Sequence, residues 1–231
     1  MAPIFKFFGN SVIVTCCATV LNVLVFAMAG YAFARFRFPC DKLLYMLLSL
    51  SLVIPMTALL QPVYSVVNNL GLYDTKAGLI LVNTALNMPM SLLILRGAFQ
   101  SIPKAIEEAA YIDGAGFLRT FFQIMMPVCK PIIAVLALWS FVGMWNSYFD
   151  AMIYLNDANL QPLQLVLRSI LVQNTPQPGM IADIQSTAEM AKVAEQLKYA
   201  TIVVSSLPLL IMYPFFQKYF DKGIMVGSVK G

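Results

Sequence analysis

The chain has 231 residues and a mass of 25.6 kDa; 60% of its residues are hydrophobic, only 11% are charged, and mean hydropathy is +0.77. Soluble domains carry about 25% charge, so this chain can neither coat a soluble globule nor remain disordered. A formal charge of +4 with no basic stripe excludes a nucleic-acid footprint, and the absence of histidine removes His triads, His metal sites and imidazole switches.

Charge-free runs cover residues 7–34 (28 residues), 43–73 (31), 77–95, 131–149 and 199–217 (19 each). A helix needs about 20 apolar residues to cross a core of about 30 Å. The runs predict an all-α integral membrane protein with five spans, near residues 10–33, 43–65, 77–95, 131–149 and 199–217. They are continuously apolar, whereas barrel strands alternate over about 10 residues. The first run is too long, and its start too weakly basic, for a cleaved signal peptide.

In chain order, Gly30 and Ala34 stand four apart and permit close helix packing. Pro55 and Pro62 lie in or near the second span, Pro89 in the third, Pro208 and Pro214 in the fifth. Each removes a backbone donor and favours a kink, read either as a pathway lined by bent helices or as ordinary curvature. Cys16, Cys17, Cys40 and Cys129 have no CxxC spacing and read as reduced structural thiols. Two loops are long, 96–130 and 150–198. In the second, residues 160–171 predict a short interfacial helix, and residues 186–198 look helical. Trp145 reads as an aromatic of the membrane–water belt or as a gate.

Five spans alternate the loops between two sides. One side holds ten of the fifteen basic residues: Arg35, Arg37, Lys42, Arg96, Lys104, Arg119, Lys130, Lys218, Lys222 and Lys230. The positive-inside rule makes that side cytoplasmic, with the C-terminus inside and the N-terminus outside. An outside N-terminus with no preceding span inserts poorly, so one more helix is expected before residue 1. No Asp, Glu, Lys or Arg lies within the spans, which argues against ion-coupled transport and voltage sensing. There is also no GxxxxGK[ST] loop, so energy for uphill transport must come from a partner.

The inner loop 96–130 predicts a helix-turn-helix projection. Pro103 suits the first turn of a helix, residues 105–112 are mostly good helix formers, and Gly114 suits a left-handed end. A second short helix is expected over about 117–126, before Pro127. Such a hairpin is either a docking knob or a surface-lying element.

Glu108-Ala109-Ala110, then Gly114 and Ile124-x-Met126-Pro127, resemble the EAA loop of ABC-importer membrane subunits, with Met126 where Leu is usual. Over essentially the whole chain, residues 29–36, Gly71-Leu72, Asp74-Thr75, residues 95–97, Ile102-Pro103, residues 112–115, Trp145-Asn146 and residues 227–231 resemble carbohydrate permeases of the maltose type. Residues 145–164 look most like the branch that takes up complex oligosaccharides, and Cys40 stands where the family often has glycine.

The resemblance implies a type I ABC-importer transmembrane domain over residues 1–231, with six spans in the family against five here, plus a cytoplasmic coupling helix. It implies a permease rather than an enzyme, multi-pass in a bacterial inner membrane. Its partners would be a second permease subunit, two ATPase subunits, an extracytoplasmic sugar-binding protein and membrane lipid. ATP and Mg would sit on the ATPase, with no cofactor on this chain. The coupling set it implies is Glu107, Glu108, Ala109, Ala110, Asp113, Gly114, Ala115, Ile124 and Pro127. Within it Glu108 is the charged anchor, Ala109 and Ala110 the close-packed face and Gly114 the turn; Glu107, rotated about 100° away, should matter less. The tail residues Gly227, Lys230 and Gly231 would insert between the ATPase subunits. The competing readings are an ABC permease for a non-sugar solute and a membrane scaffold without transport.

Overall fold

The computed structural model describes residues 4–173, 195–196, 199–200, 202–214 and 217. Every regular element among them is helical. Helix α1 (Ile4–Arg35) covers the first apolar run in one piece, and α4 (Lys76–Ser101) does the same for the third. α1 is roughly 48 Å long at 1.5 Å per residue, more than a bilayer core requires. α4 outlasts its charge-free run by six residues, carrying Gly97 inside it; the first proline after Arg96 is Pro103.

The expected second span is not one helix. α2 (Asp41–Leu50), a 3-10 turn (Ser51–Val53) and α3 (Met56–Asn69) replace it, and the chain bends by 115° between the two arms. Pro55 is the cause. The residue before a proline is driven out of the helical region, and Ile54 sits at ψ 121. Pro62 and Pro89, by contrast, are carried inside α3 and α4. Cys40, before α2, adopts φ 62, a conformation glycine enters freely and a side chain does not.

After α4 come α5 (Lys104–Ile112), α6 (Phe117–Thr120), a π-turn (Phe121–Met125) and α7 (Met126–Val128). The chain then bends by 80° into α8 (Lys130–Asn146). α9 (Phe149–Tyr154), a 3-10 turn (Ala158–Leu160), α10 (Leu163–Gln173) and α11 (Ile202–Pro214) follow. Pro208 lies within α11 and Pro214 closes it. The helix expected over 186–198 falls almost wholly outside the described residues, as does the tail with Gly227, Lys230 and Gly231.

The chain divides into two compact units. In the first (residues 1–18, 63–83 and 141–215), Phe7 packs with Leu163, Val166 and Ile170. One face of the apolar stretch expected at the membrane interface, Leu163, Val166 and Ile170, is therefore packed in protein core. Asn10 Nδ2 donates to the carbonyls of Asn159 and Gln161 at 2.9 and 3.0 Å, and the Leu163 N–H donates to Ser11 Oγ at 2.8 Å. Asp74 Oδ1 accepts the N–H groups of Asn156 and Asp157, both at 2.8 Å. Trp145 is packed inside the unit rather than standing at a membrane–water belt: it is 1% exposed, stacks on Phe141, and donates from Nε1 to the Ser205 carbonyl at 2.7 Å. Burial pushes the Asp150 carboxyl above the usual range, against the lowering effect of Ser147, which donates to it at 3.2 Å.

In the second unit (residues 19–62, 84–140 and 216–231), Phe26, Tyr31, Leu95, Phe99, Phe121 and Met125 form the core. α1 and α4 touch at Gly30, where a Cβ would stand 2.9 Å from Leu95 Cβ and 3.1 Å from the Arg96 nitrogen. Ala34, one turn on, packs against the same core. Gly30→Ala should therefore lower stability by about 1–3 kcal/mol through overpacking. Gly9→Ala, in the same helix with nothing within 4 Å of its Cβ, should raise it by about 0.5–1 kcal/mol. Thermal unfolding of both variants in detergent checks the opposite signs; equal shifts would rule out the close approach at Gly30.

Candidate functional site

The hairpin of α5 to α7 is built by its punctuation. Pro103, at φ −57 and ψ 135, turns the chain out of α4, and Lys104 opens α5. Gly114, at φ 78, closes it. Its N–H donates to the Tyr111 carbonyl at 3.0 Å, and the Ala115 N–H donates to the Ala110 carbonyl at 2.9 Å. These two bonds are the Schellman pair that satisfies the last carbonyls of a helix. A Cβ on Gly114 would meet nothing within 4 Å, so the backbone conformation alone demands glycine.

Adjacent glutamates on α5 have opposite surroundings. Glu108 is exposed, together with Ala109 and Asp113. Glu107 and Ala110, one turn apart, are buried. Glu107 Oε1 accepts a hydrogen bond from the Tyr31 hydroxyl. Its Oε2 lies 3.2 Å from Arg35 Nε, and the two side chains are only 10% and 6% exposed. The Nε–H is not aimed at that oxygen, so this contact is coulombic rather than a directed bond. Arg35 donates from Nη2 to the Ile102 carbonyl at 2.6 Å instead. The Tyr31 ring stacks on Phe117 at 5.5 Å and lies 5.3 Å from Phe121, so α1 grips both arms of the hairpin.

Glu107, expected to matter less than Glu108, is the group through which α5 is bonded to α1. Ala110, expected on a close-packed face, is buried with Ala115 in this chain's own packing. Ile124 is half-buried within the π-turn and Pro127 is exposed beyond it. Cys129 is buried and free, as expected of a structural thiol. Cys16, Cys17 and Cys40 are free and exposed.

The outer surface sets apolar side chains beside the exposed charges of Lys104, Glu108, Asp113 and Arg119. Ile112 is 86% exposed, and Tyr111, Leu118 and Phe122 are exposed as well. Exposed apolar patches of this kind mark partner surfaces. The arrangement suits transmission of force rather than chemistry. Sequence reasoning missed Tyr31 and Arg35 as site residues. Their signal was a polar pair, i and i+4, at the end of the first apolar run.

Residues 26–226 match the family model described as a binding-protein-dependent transport system inner membrane component. The chain is 38% identical over 224 residues to protein LplC of Bacillus subtilis strain 168, with 96% of this chain and 73% of that protein covered. It is 37% identical over 229 residues to the polygalacturonan/rhamnogalacturonan transport system permease protein YtcP of the same organism, with 99% and 78% covered. It also resembles a chain from the crystal structure of a bacterial ABC transporter involved in the import of the acidic polysaccharide alginate. There the TM-score is 0.77 at 26% identity, covering 94% of this chain and 75% of that one. With the matched region containing the whole hairpin and the Tyr31 and Arg35 that hold it, the chain belongs to the binding-protein-dependent transport system inner membrane components, permease subunits of ABC transporters and not enzymes.

Proposed function

We propose that the chain forms half of the pathway of an ATP-driven importer of sugars, chiefly oligosaccharides, delivered by an extracytoplasmic binding protein. A second permease subunit supplies the other half, and two cytosolic ATPase subunits supply the energy. Residues 104–112 are the coupling helix. The observation that carries this reading is the two-sided α5. Its outer face offers Glu108 beside exposed Tyr111 and Ile112, while its inner face is tied to α1 through Glu107, Tyr31 and Arg35. Movement of a docked ATPase is passed to α1 because a buried, bonded contact does not slip. The sugar is supported by what YtcP and the alginate importer are named for, polygalacturonan, rhamnogalacturonan and alginate, all polymeric saccharides.

Reconstitution with the partner subunits and a panel of oligosaccharide-loaded binding proteins tests this reading. ATPase turnover should rise with at least one saccharide. A rise with a non-sugar solute alone would transfer the assignment to another substrate class, and no rise with any solute would favour a scaffold.

The proposed topology has five spans. α1 and α4 are long and apolar enough to cross a membrane, and the bent pairs α2–α3 and α6–α8 pass the same test when each is taken as one span. The last span, around α11, has 13 described residues. In a cysteine-free background, Asp157→Cys should be labelled by an impermeant thiol reagent in intact cells. Lys104→Cys and Arg119→Cys should be protected until the membrane is opened. Labelling at 104 with protection at 157 would invert the orientation. Position 74 is a poor reporter, because Asp74 holds the 156–157 backbone.

A further inference from the structure

The second unit contains a cavity of about 250 Å³ between the end of α1, the start of α2 and the α4–α5 junction. Five cations line it, Arg35, Arg37, Lys42, Arg96 and Lys104, against the single carboxylate of Asp41. That carboxylate accepts the Lys42 backbone N–H at 2.6 Å and forms no ion pair among the described residues. Arg35 is engaged by Glu107 and Ile102. Arg96 donates to the Phe33 carbonyl at 3.3 Å and lies 3.9 Å over the Tyr45 ring. Arg37, Lys42 and Lys104 form no ion pair among the described residues. Like charges gathered in one concavity repel each other unless an anion joins them.

We propose that this cavity binds a phosphate group, that of an anionic phospholipid of the cytoplasmic leaflet. Its volume is below the ~300–1,000 Å³ of pockets for drug-sized ligands, so it suits a headgroup better than an oligosaccharide. A bed for the acyl chains adjoins it. α2 starts at the cavity with Asp41 and Lys42, has no buried residue, and exposes Leu43, Leu44, Met46, Leu47 and Leu50. Basic pockets beside membrane helices on the cytoplasmic side are the usual seat of anionic headgroups. The proposal rests on the orientation given above, which the labelling of positions 104 and 157 tests separately.

The test uses the purified full-length chain with its partner subunits in detergent. Thermal protection is titrated with short-chain phosphatidylglycerol, short-chain phosphatidylcholine and inorganic phosphate. Saturable protection by phosphatidylglycerol, and little by phosphatidylcholine, is expected. Arg37→Gln and Lys42→Gln should each weaken it about fivefold, the equivalent of about 1 kcal/mol per charge at a membrane surface. Both residues are exposed and lie outside the α5 contact face, so the variants should fold and couple normally. Equal protection by inorganic phosphate, lost in the same variants, would keep the phosphate chemistry and overturn the lipid as its source. Equal protection by phosphatidylcholine, or phosphatidylglycerol protection unchanged in both variants, would overturn the site. If labelling instead places position 104 outside, the cytoplasmic leaflet fails whatever the titration gives.

Discussion

Glu108→Ala should abolish substrate uptake while leaving the permease folded and inserted. Glu108 is exposed, and exposed substitutions away from special features shift stability by about ±0.5 kcal/mol. Its value lies in a partner. Docked in an ATPase cleft, its carboxylate meets a basic group away from bulk water. Removing one member of such a pair costs about 2–5 kcal/mol, roughly a thirtyfold loss of docking or more. Gly114→Val should reach the same end differently. At φ 78 a side chain costs about 1–2 kcal/mol, and a valine there breaks the Schellman pair that aims α5. Uptake and copurification of the ATPase are the measurements, with thermal unfolding as the control. Near-normal uptake by both variants would sink the assignment of α5 as the coupling helix.

Glu107→Ala should fail for a different reason, by unfolding the hairpin from α1. The substitution strands the Arg35 guanidinium, whose side chain is 6% exposed, with only the Ile102 carbonyl as partner. Breaking a buried pair by removing one member costs about 3–5 kcal/mol. The thermal midpoint and the amount of inserted protein should therefore fall together, unlike the behaviour of Glu108→Ala. Replacing both members by apolar residues, as in Glu107→Leu with Arg35→Met, should restore most of the stability, since no charge is left buried alone. A stable Glu107→Ala protein, or a double variant no better than the single one, would show that the pair does not hold the hairpin.

Much of the fold was legible. Gly114 was expected in a left-handed turn from its place after a run of helix formers, and it has φ 78. Gly30 and Ala34 were read as a close-packing pair, and both lie at the α1–α4 contact or its core. Charge-free length placed the second apolar segment but not its break, because length says nothing about direction; Pro55 bends it through local backbone sterics that a hydropathy window averages away. The short helix expected within residues 160–171 is present, but the packing of its inner face was not legible for a similar reason. An apolar stretch is equally content against lipid or against Phe7, and composition does not choose between them.

What the sequence determined by itself was the membrane class, the length and order of the apolar segments, and the hairpin with its proline and glycine ends. These depend on windows of about 20 residues or fewer, in which transfer free energies and backbone preferences act locally. Only the tertiary structure decided which glutamate faces out. Glu107 and Glu108 are chemically identical neighbours separated by about 100° of helical rotation. The choice is made by Tyr31, which reaches Glu107 from 76 residues earlier in the chain, and by Arg35 beside it. A buried carboxylate is tolerable only where a donor and a cation arrive together, and that meeting is a property of the packed helices rather than of either segment.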